Sequence, residues 1–270
     1  MLKALILTAA IIAPLGNVTV LPELGTFQQS PTSPTSPTPP TSPPSPTSPS
    51  SQSAVPPSAA AVAFARELMD AGLDSLPGGG AEIFAERVRQ KICSDKCGTE
   101  RYLDIHRIAH RLGLRSNVTM LYGHIETMEE RCDHMLRARA LQDETGGFQA
   151  FIPLAFHPDN NQMRKLPAPS GTDTLRVHAV ARLMCDNIPH IKAFWIATGV
   201  ELAQASLWFG VDDLDGTVQE EKIYHMAGSA TPEGMSPAQL SRLVRAAGRE
   251  PLERDTLYNV IEPPVPIGAA

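Results

Sequence analysis

SNVTMLYGHIETMEE, residues 116–130, holds the pattern on which the fold turns. Its first half, 116–122, is an apolar and β-branched run of strand length. The run then breaks into GHIET, where a glycine is followed by His124 and Glu126. Thr127 with Glu130 forms a capping box, which satisfies two orphan amide groups and opens a helix. Met128, Cys132, Met135 and Leu136 supply that helix with an apolar stripe. Strand, polar tail and capped helix in succession are half of a parallel βαβ unit.

The same succession recurs on both sides. Strands are predicted at 73–76, 148–156, 191–198 and 206–211, each ending in glycine or polar residues: PGGGAE, HPDNN, TGVE and DDLDGT. Helices are predicted at 60–71 before Gly72, at 82–92, at 101–112 before Gly113, and after Ser236-Pro237 with Gln239, closing at Gly248. Thr217 with Glu220 is read as a further capping box. In a parallel α/β barrel all strand C-termini point to one face, so these tails converge on one polar site.

Each tail also has a plainer reading. Gly78, Gly79 and Gly80 would let a ligand approach backbone amides, with Glu82 at the opening, but a tight turn uses glycines equally well. Gly123, His124 and Glu126 would contact a ligand or merely lead into the helix. His157, Asp159 and Asn160 offer hydrogen bonds to a hydroxyl-rich or carboxylate ligand. Asp212, Asp213 and Asp215 resemble a metal-binding carboxylate cluster, but no glutamate follows at calcium-loop spacing. No Ser-His-Asp arrangement, zinc quartet or phosphate loop is present in the sequence.

Composition bounds the alternatives. The chain has 270 residues, 42% apolar and 19% charged, with a formal net charge of −6. No basic block stands out, so no footprint for nucleic acid is visible. Four cysteines are too few for a disulfide scaffold. Residues 1–23 hold the apolar run ALILTAAIIA (4–13), shaped like a signal-peptide core and too short to span a bilayer. Residues 24–59 carry no charge, and 31–57 hold 11 of the 25 prolines, the composition of a disordered or polyproline linker. The organised part is expected at 60–262, with 263–270 a tail.

AGLDSLPGGGAEIF (71–84), TMLYGHIETMEERCDHMLRARALQDETGGFQAFIPLAFHPDN (119–160), RLMCDNIPHIKAFW (182–195) and WFGVDDLDGTVQEEKIYHMAG (208–228) together resemble aminofutalosine synthase. That family belongs to the radical S-adenosylmethionine enzymes of the futalosine route to menaquinone, and the resemblance runs from about 62 to about 259. Its sister, cyclic dehypoxanthine futalosine synthase, shares the frame and fits less well. The resemblance implies a (β/α)8 TIM-type barrel, a cytoplasmic location, S-adenosylmethionine and a [4Fe–4S] cluster held by C-x₃-C-x₂-C after the first strand. It implies addition of the 5′-deoxyadenosyl radical to 3-[(1-carboxyvinyl)oxy]benzoate, giving aminofutalosine. By position, Gly78, Gly79 and Glu82 with Gly123 and Glu126 would lie on the S-adenosylmethionine side. His157, Asp159, Asn160, Asp212, Asp213 and Asp215 would face the substrate.

The chain departs from that pattern in one respect. No C-x₃-C-x₂-C occurs in it, and the proline-rich stretch stands where the cluster strand would be. An incomplete barrel is therefore expected, with the cluster not held by this chain alone. CSDKCGTE (93–100) comes near the spacing, but Glu100 replaces the third cysteine. It falls between two predicted helices rather than after the first strand, so Cys93 and Cys97 are read as a decoy. Three readings follow: a fragment unable to react unaided, one half of a split enzyme completed by an N-terminal barrel chain, or a non-catalytic adenosyl- or substrate-binding module behind an export leader.

Overall fold

The computed structural model describes residues 17–20, 59–218 and 221–262. Most of the expected leader and linker, and the tail, lie outside the described residues. In chain order the elements are β1 (Asn17–Val20), α1 (Ala59–Asp70), β2 (Ser75–Leu76), α2 (Glu86–Ile92), α3 (Thr99–Arg111), β3 (Arg115–Tyr122), α4 (Met128–Thr145), β4 (Phe148–Ala155) and α5 (Gly171–Met184). Then come β5 (His190–Ile191), α6 (Trp195–Thr198), α7 (Val200–Ser206), α8 (Ile223–Met226), α9 (Pro237–Ala246), β6 (Pro251–Arg254) and β7 (Val260–Glu262).

The main sheet has the order β2-β3-β4-β5, all parallel. Strands that neighbour one another in sequence order, without the reversal of a doubly wound sheet, follow the barrel-type succession. A further parallel connection continues it: Lys192 bridges Asp213, and Ala193 N–H donates to Asp213 O at 2.8 Å. The fold is thus α/β with a partial TIM-type sheet. A separate antiparallel sheet has the order β1-β6-β7.

The capping box at Thr127 is formed as expected, and α4 ends at Gly146 in the left-handed conformation (φ 62°). Helices α3, α4 and α5 bury one side of the sheet. Tyr122 donates its hydroxyl to Thr174 Oγ1 of α5 at 3.0 Å, which fixes the direction of the β3 side chains. By alternation, Val118, Met120 and Tyr122, with their register partners Phe151, Pro153 and Ala155 and with Ile191, face the helices. Asn117, Thr119 and Leu121, with Ala150, Ile152, Leu154, His190, Lys192 and Asp213, line the other face.

A polar chain is enclosed in the helix-side packing. Thr145 Oγ1 donates to Leu141 O at 2.8 Å, so its oxygen accepts from His110 Nδ1 at 2.7 Å. His110 Nε2 then accepts from Ser116 Oγ at 2.7 Å, and Ser116 accepts from His106 Nδ1 at 2.8 Å. One direction of donation satisfies every link.

Four expectations are corrected. The strand predicted at 191–198 ends at Ile191, and Trp195–Thr198 is helical. A short apolar run has no period long enough to separate strand from buried helix, and Trp195 is enclosed either way, its Nε1 donating to Gly216 O at 3.1 Å. The strand predicted at 206–211 is the end of α7 and a turn at Gly210 (φ 91°), with Trp208 and Phe209 exposed. Its pairing role passes to Asp213. The helix predicted from Glu82 begins at Glu86, because Glu82 takes a left-handed φ of 48°. Thr217 opens no helix: α8 begins at Ile223, and Glu220 lies outside the described residues. α5 was not predicted, although Ser170 caps it by accepting from Asp173 N–H.

Candidate functional site

After β2 the chain forms a ledge, 78–84, whose backbone is held from several sides. Gly78 O accepts from Tyr102 Oη at 2.8 Å and from Thr119 Oγ1 at 2.7 Å. Glu82 O accepts from Leu121 N–H at 2.7 Å, and Phe84 O from Thr99 Oγ1 at 2.9 Å. A Cβ on Gly78 would stand 2.8 Å from Asn117 O, so only glycine permits this approach to β3. Around Gly79 and Gly80 a Cβ would meet nothing within 4 Å, so this backbone is open to approach. The Glu82 carboxylate accepts from Lys96 Nζ at 2.5 Å.

After β3, Gly123 turns at φ 91° against Pro169. The Glu126 side chain is fully enclosed. It accepts from Gly123 N–H at 2.5 Å, His124 N–H at 2.9 Å and Arg131 Nε at 2.7 Å, and lies 2.9 Å from His124 Nδ1. Burial by itself raises its pKa, but the bonds from His124 and Gly123 outweigh that and hold it at about 2. Arg131 continues to Asp173 of α5 at 3.1 Å. The carboxylate read as cofactor-facing thus ties β3, α4 and α5 together.

After β4, Asn160 (φ 53°) donates to Met226 O at 3.2 Å, and Asp159 packs beside Gly228. His157 Nδ1 is buried without a hydrogen-bond partner and stands 3.9 Å from Asp159 Oδ2. Tyr224 donates to Ala155 O at 3.0 Å, which brings the 223–228 segment to the same strand end.

The three aspartates are divided. Asp212 turns to the helix side, accepting from Arg182 Nη2 at 2.7 Å and from Ile191 N–H at 2.8 Å, with His190 Nδ1 at 2.9 Å. Asp213 is buried on the other face with Arg254 and with Tyr258 Oη at 2.5 Å. Asp215 (φ 45°) accepts from Lys192 Nζ at 2.5 Å. Burial pushes Asp213 up, yet the Lys192 and Arg254 cations hold it below the usual range, whereas burial keeps Asp215 above it. Tyr258 stacks on His190 at 4.1 Å and lies under Arg254 at 3.6 Å. This balanced set of charges pins the β6–β7 segment to the sheet.

Sequence reasoning missed Arg89, Arg131, Asp173, Lys192, Arg254 and Tyr258. Lys192 alone carried a signal, a cation inside the apolar run HIKAFW. The four cysteines are free thiols; Cys93 and Cys185 are buried, and burial raises both thiols, Cys185 to about 12. Cys93 and Cys97 lie in the α2–α3 connection. No group of three or more His, Cys, Asp or Glu side chains able to hold a metal occurs among the described residues. The described donor set does not fit a three-thiolate iron–sulfur site. No helix among the described residues is long and apolar enough to cross a membrane.

Residues 145–267 match the family model described as the CofH/MqnC C-terminal region. Aminodeoxyfutalosine synthase of Thermus thermophilus is 58% identical over 200 residues, 73% of this chain and 54% of the relative. That of Streptomyces coelicolor is 47% identical over 206 residues, 72% and 53%. The 5-amino-6-(D-ribitylamino)uracil–L-tyrosine 4-hydroxyphenyl transferase of Methanopyrus kandleri is 44% identical over 202 residues, 73% and 55%. The chain spans about half the length of these curated relatives. The C-terminal part of this chain therefore belongs with the CofH/MqnC family and resembles aminodeoxyfutalosine synthase.

Proposed function

We propose that this chain forms the adenosyl- and substrate-facing wall of an aminofutalosine-synthase-type barrel. The reaction joins the 5′-deoxyadenosyl group of S-adenosylmethionine to 3-[(1-carboxyvinyl)oxy]benzoate, and a [4Fe–4S] cluster supplies the electron when bound. The thiolates for that cluster come from another polypeptide, because the described residues do not offer them. The observation that carries the reading is the ledge at Gly79–Gly80, open backbone at the end of β2 where the family resemblance puts the cofactor. Asn117, Lys192 and Asp213 on the helix-free face supply polar groups beside it.

The test is anaerobic iron–sulfur reconstitution of the purified chain, alone and coexpressed with a polypeptide bearing C-x₃-C-x₂-C. The expected result is no stoichiometric cluster and no 5′-deoxyadenosine from the chain alone, and aminofutalosine from the pair. A chain that binds a cluster and cleaves S-adenosylmethionine unaided refutes the two-chain reading. A folded pair that yields neither product refutes the assignment of the reaction.

A further inference from the structure

Arg89 of α2 is 2% exposed, and no carboxylate is printed among its hydrogen-bond partners. Its guanidinium donates instead to main-chain carbonyls. Nη1 reaches Ala81 O at 2.5 Å and Ile83 O at 3.4 Å; Nη2 reaches Gly80 O at 3.4 Å and also Cys97 O. With Tyr102 and Thr119 on Gly78 O, Leu121 on Glu82 O and Thr99 on Phe84 O, the ledge carbonyls at 78, 80, 81, 82, 83 and 84 are all held from the protein side. Arg89 accounts for three of the six.

A trans peptide plane carries C=O and the following N–H on opposite edges. Turning the carbonyls of Gly80, Ala81 and Ile83 toward Arg89 therefore turns the amides of Ala81, Glu82 and Phe84 away from it. Phe84 N–H is found on His134 Nδ1 at 3.1 Å, as this requires. A lysine ammonium in place of Arg89 has three donors on a point charge and cannot span the same fork of acceptors. The CSDKCGTE connection joins the same construction, through Cys97 O on Arg89 and Lys96 on the Glu82 carboxylate.

We propose that Arg89 is a positioning residue: one buried guanidinium sets the peptide orientations of the Gly80–Ile83 ledge and couples it to the Cys93–Gly98 connection. Its importance for ligand binding rests on the reading of the ledge as the cofactor wall.

The test uses the full chain and its R89M, R89K and R89G variants, with hydrogen exchange at 79–84, thermal melting and binding of S-adenosylmethionine measured on each. Losing charge-assisted bonds raises exchange at the ledge about tenfold or more in R89M, beyond any rise in β3 and β4. R89K, which keeps the charge, is the variant to use if R89M does not fold, and its ledge exchange is also raised. Guanidinium at about 10 mM, far below denaturing concentration, restores protection in R89G, while sodium chloride does not. Ledge exchange unchanged in folded R89M and R89K, or no rescue by guanidinium, overturns the proposal. Wild-type chain that binds S-adenosylmethionine, beside an R89M whose ledge is loosened but whose affinity is unchanged, overturns the link to binding. Wild-type chain that binds none, with the ledge loosened in R89M, refutes the cofactor reading and supports the ledge-setting role.

Discussion

Replacing Glu126 by Gln tests the physical account of the β3–α4 junction. The carboxylate is enclosed and accepts from two backbone amides and Arg131. Held at about 2 against an ordinary 4.5, it favours its charged form by about 3 kcal/mol, at about 1.4 kcal/mol for each pKa unit. A depressed carboxyl pKa contributes stability that is complete above the unfolded value, about 4.5, and is lost as pH falls through the folded value, about 2. The glutamine keeps the shape, loses the charge and sets an NH₂ against donors that need an acceptor. We expect E126Q to be less stable than wild type by about 3 kcal/mol at pH 7, with the gap closing steadily below about pH 4.5. Urea unfolding followed by circular dichroism across that pH range measures it. The m-value should not change, since the surface exposed on unfolding is the same. A gap under about 0.5 kcal/mol at pH 7, or one that does not narrow on acidification, refutes the reasoning.

Gly78→Ala should cost about 2 kcal/mol or more, because its Cβ would press on the Asn117 carbonyl at 2.8 Å. Gly79→Ala should leave the melting temperature within about 2 °C yet weaken S-adenosylmethionine binding, since the new methyl meets only open space in the protein. Asp213→Asn should destabilise by about 3 kcal/mol, leaving Arg254 and Lys192 without a buried anion. The double variant with Arg254→Met should recover part of that loss, and simple additivity in a double-mutant cycle would count against the coupling. Burial lowers His106 to about 3, and burial with the Arg115 charge lowers His110 to about 4. These rings stay neutral in the fold while the unfolded chain takes up protons below about pH 6.5, so their contribution is full above 6.5 and falls on acidification toward 4. Imidazole NMR signals for both should be flat from about pH 8 to 5; a midpoint near the free value of about 6.5 would contradict the enclosed chain through Ser116.

What could be read from the sequence was local. The capping box at Thr127, the stop at Gly146 and the β3 and β4 runs are each set by neighbours within a few residues, and the structure has them where expected. Asp212, Asp213 and Asp215 show the limit. Adjacent in sequence, they were read as one cluster, but strand alternation sends Asp212 to α5 and Asp213 to the opposite face. A tail's composition cannot say which of its residues will find a partner.

The sequence by itself determined the α/β class, the parallel succession and the position of the strand-end tails, because periodicity and capping act within a few residues and do not wait for tertiary contacts. Only the tertiary structure decided that the run after Ile191 turns helical, that Glu126 is enclosed by Arg131, and that Arg89 holds the glycine ledge from beneath. Those outcomes depend on groups from 5 to more than 40 residues apart meeting in a low-dielectric interior, where an unpaired charge or carbonyl is too costly to leave alone.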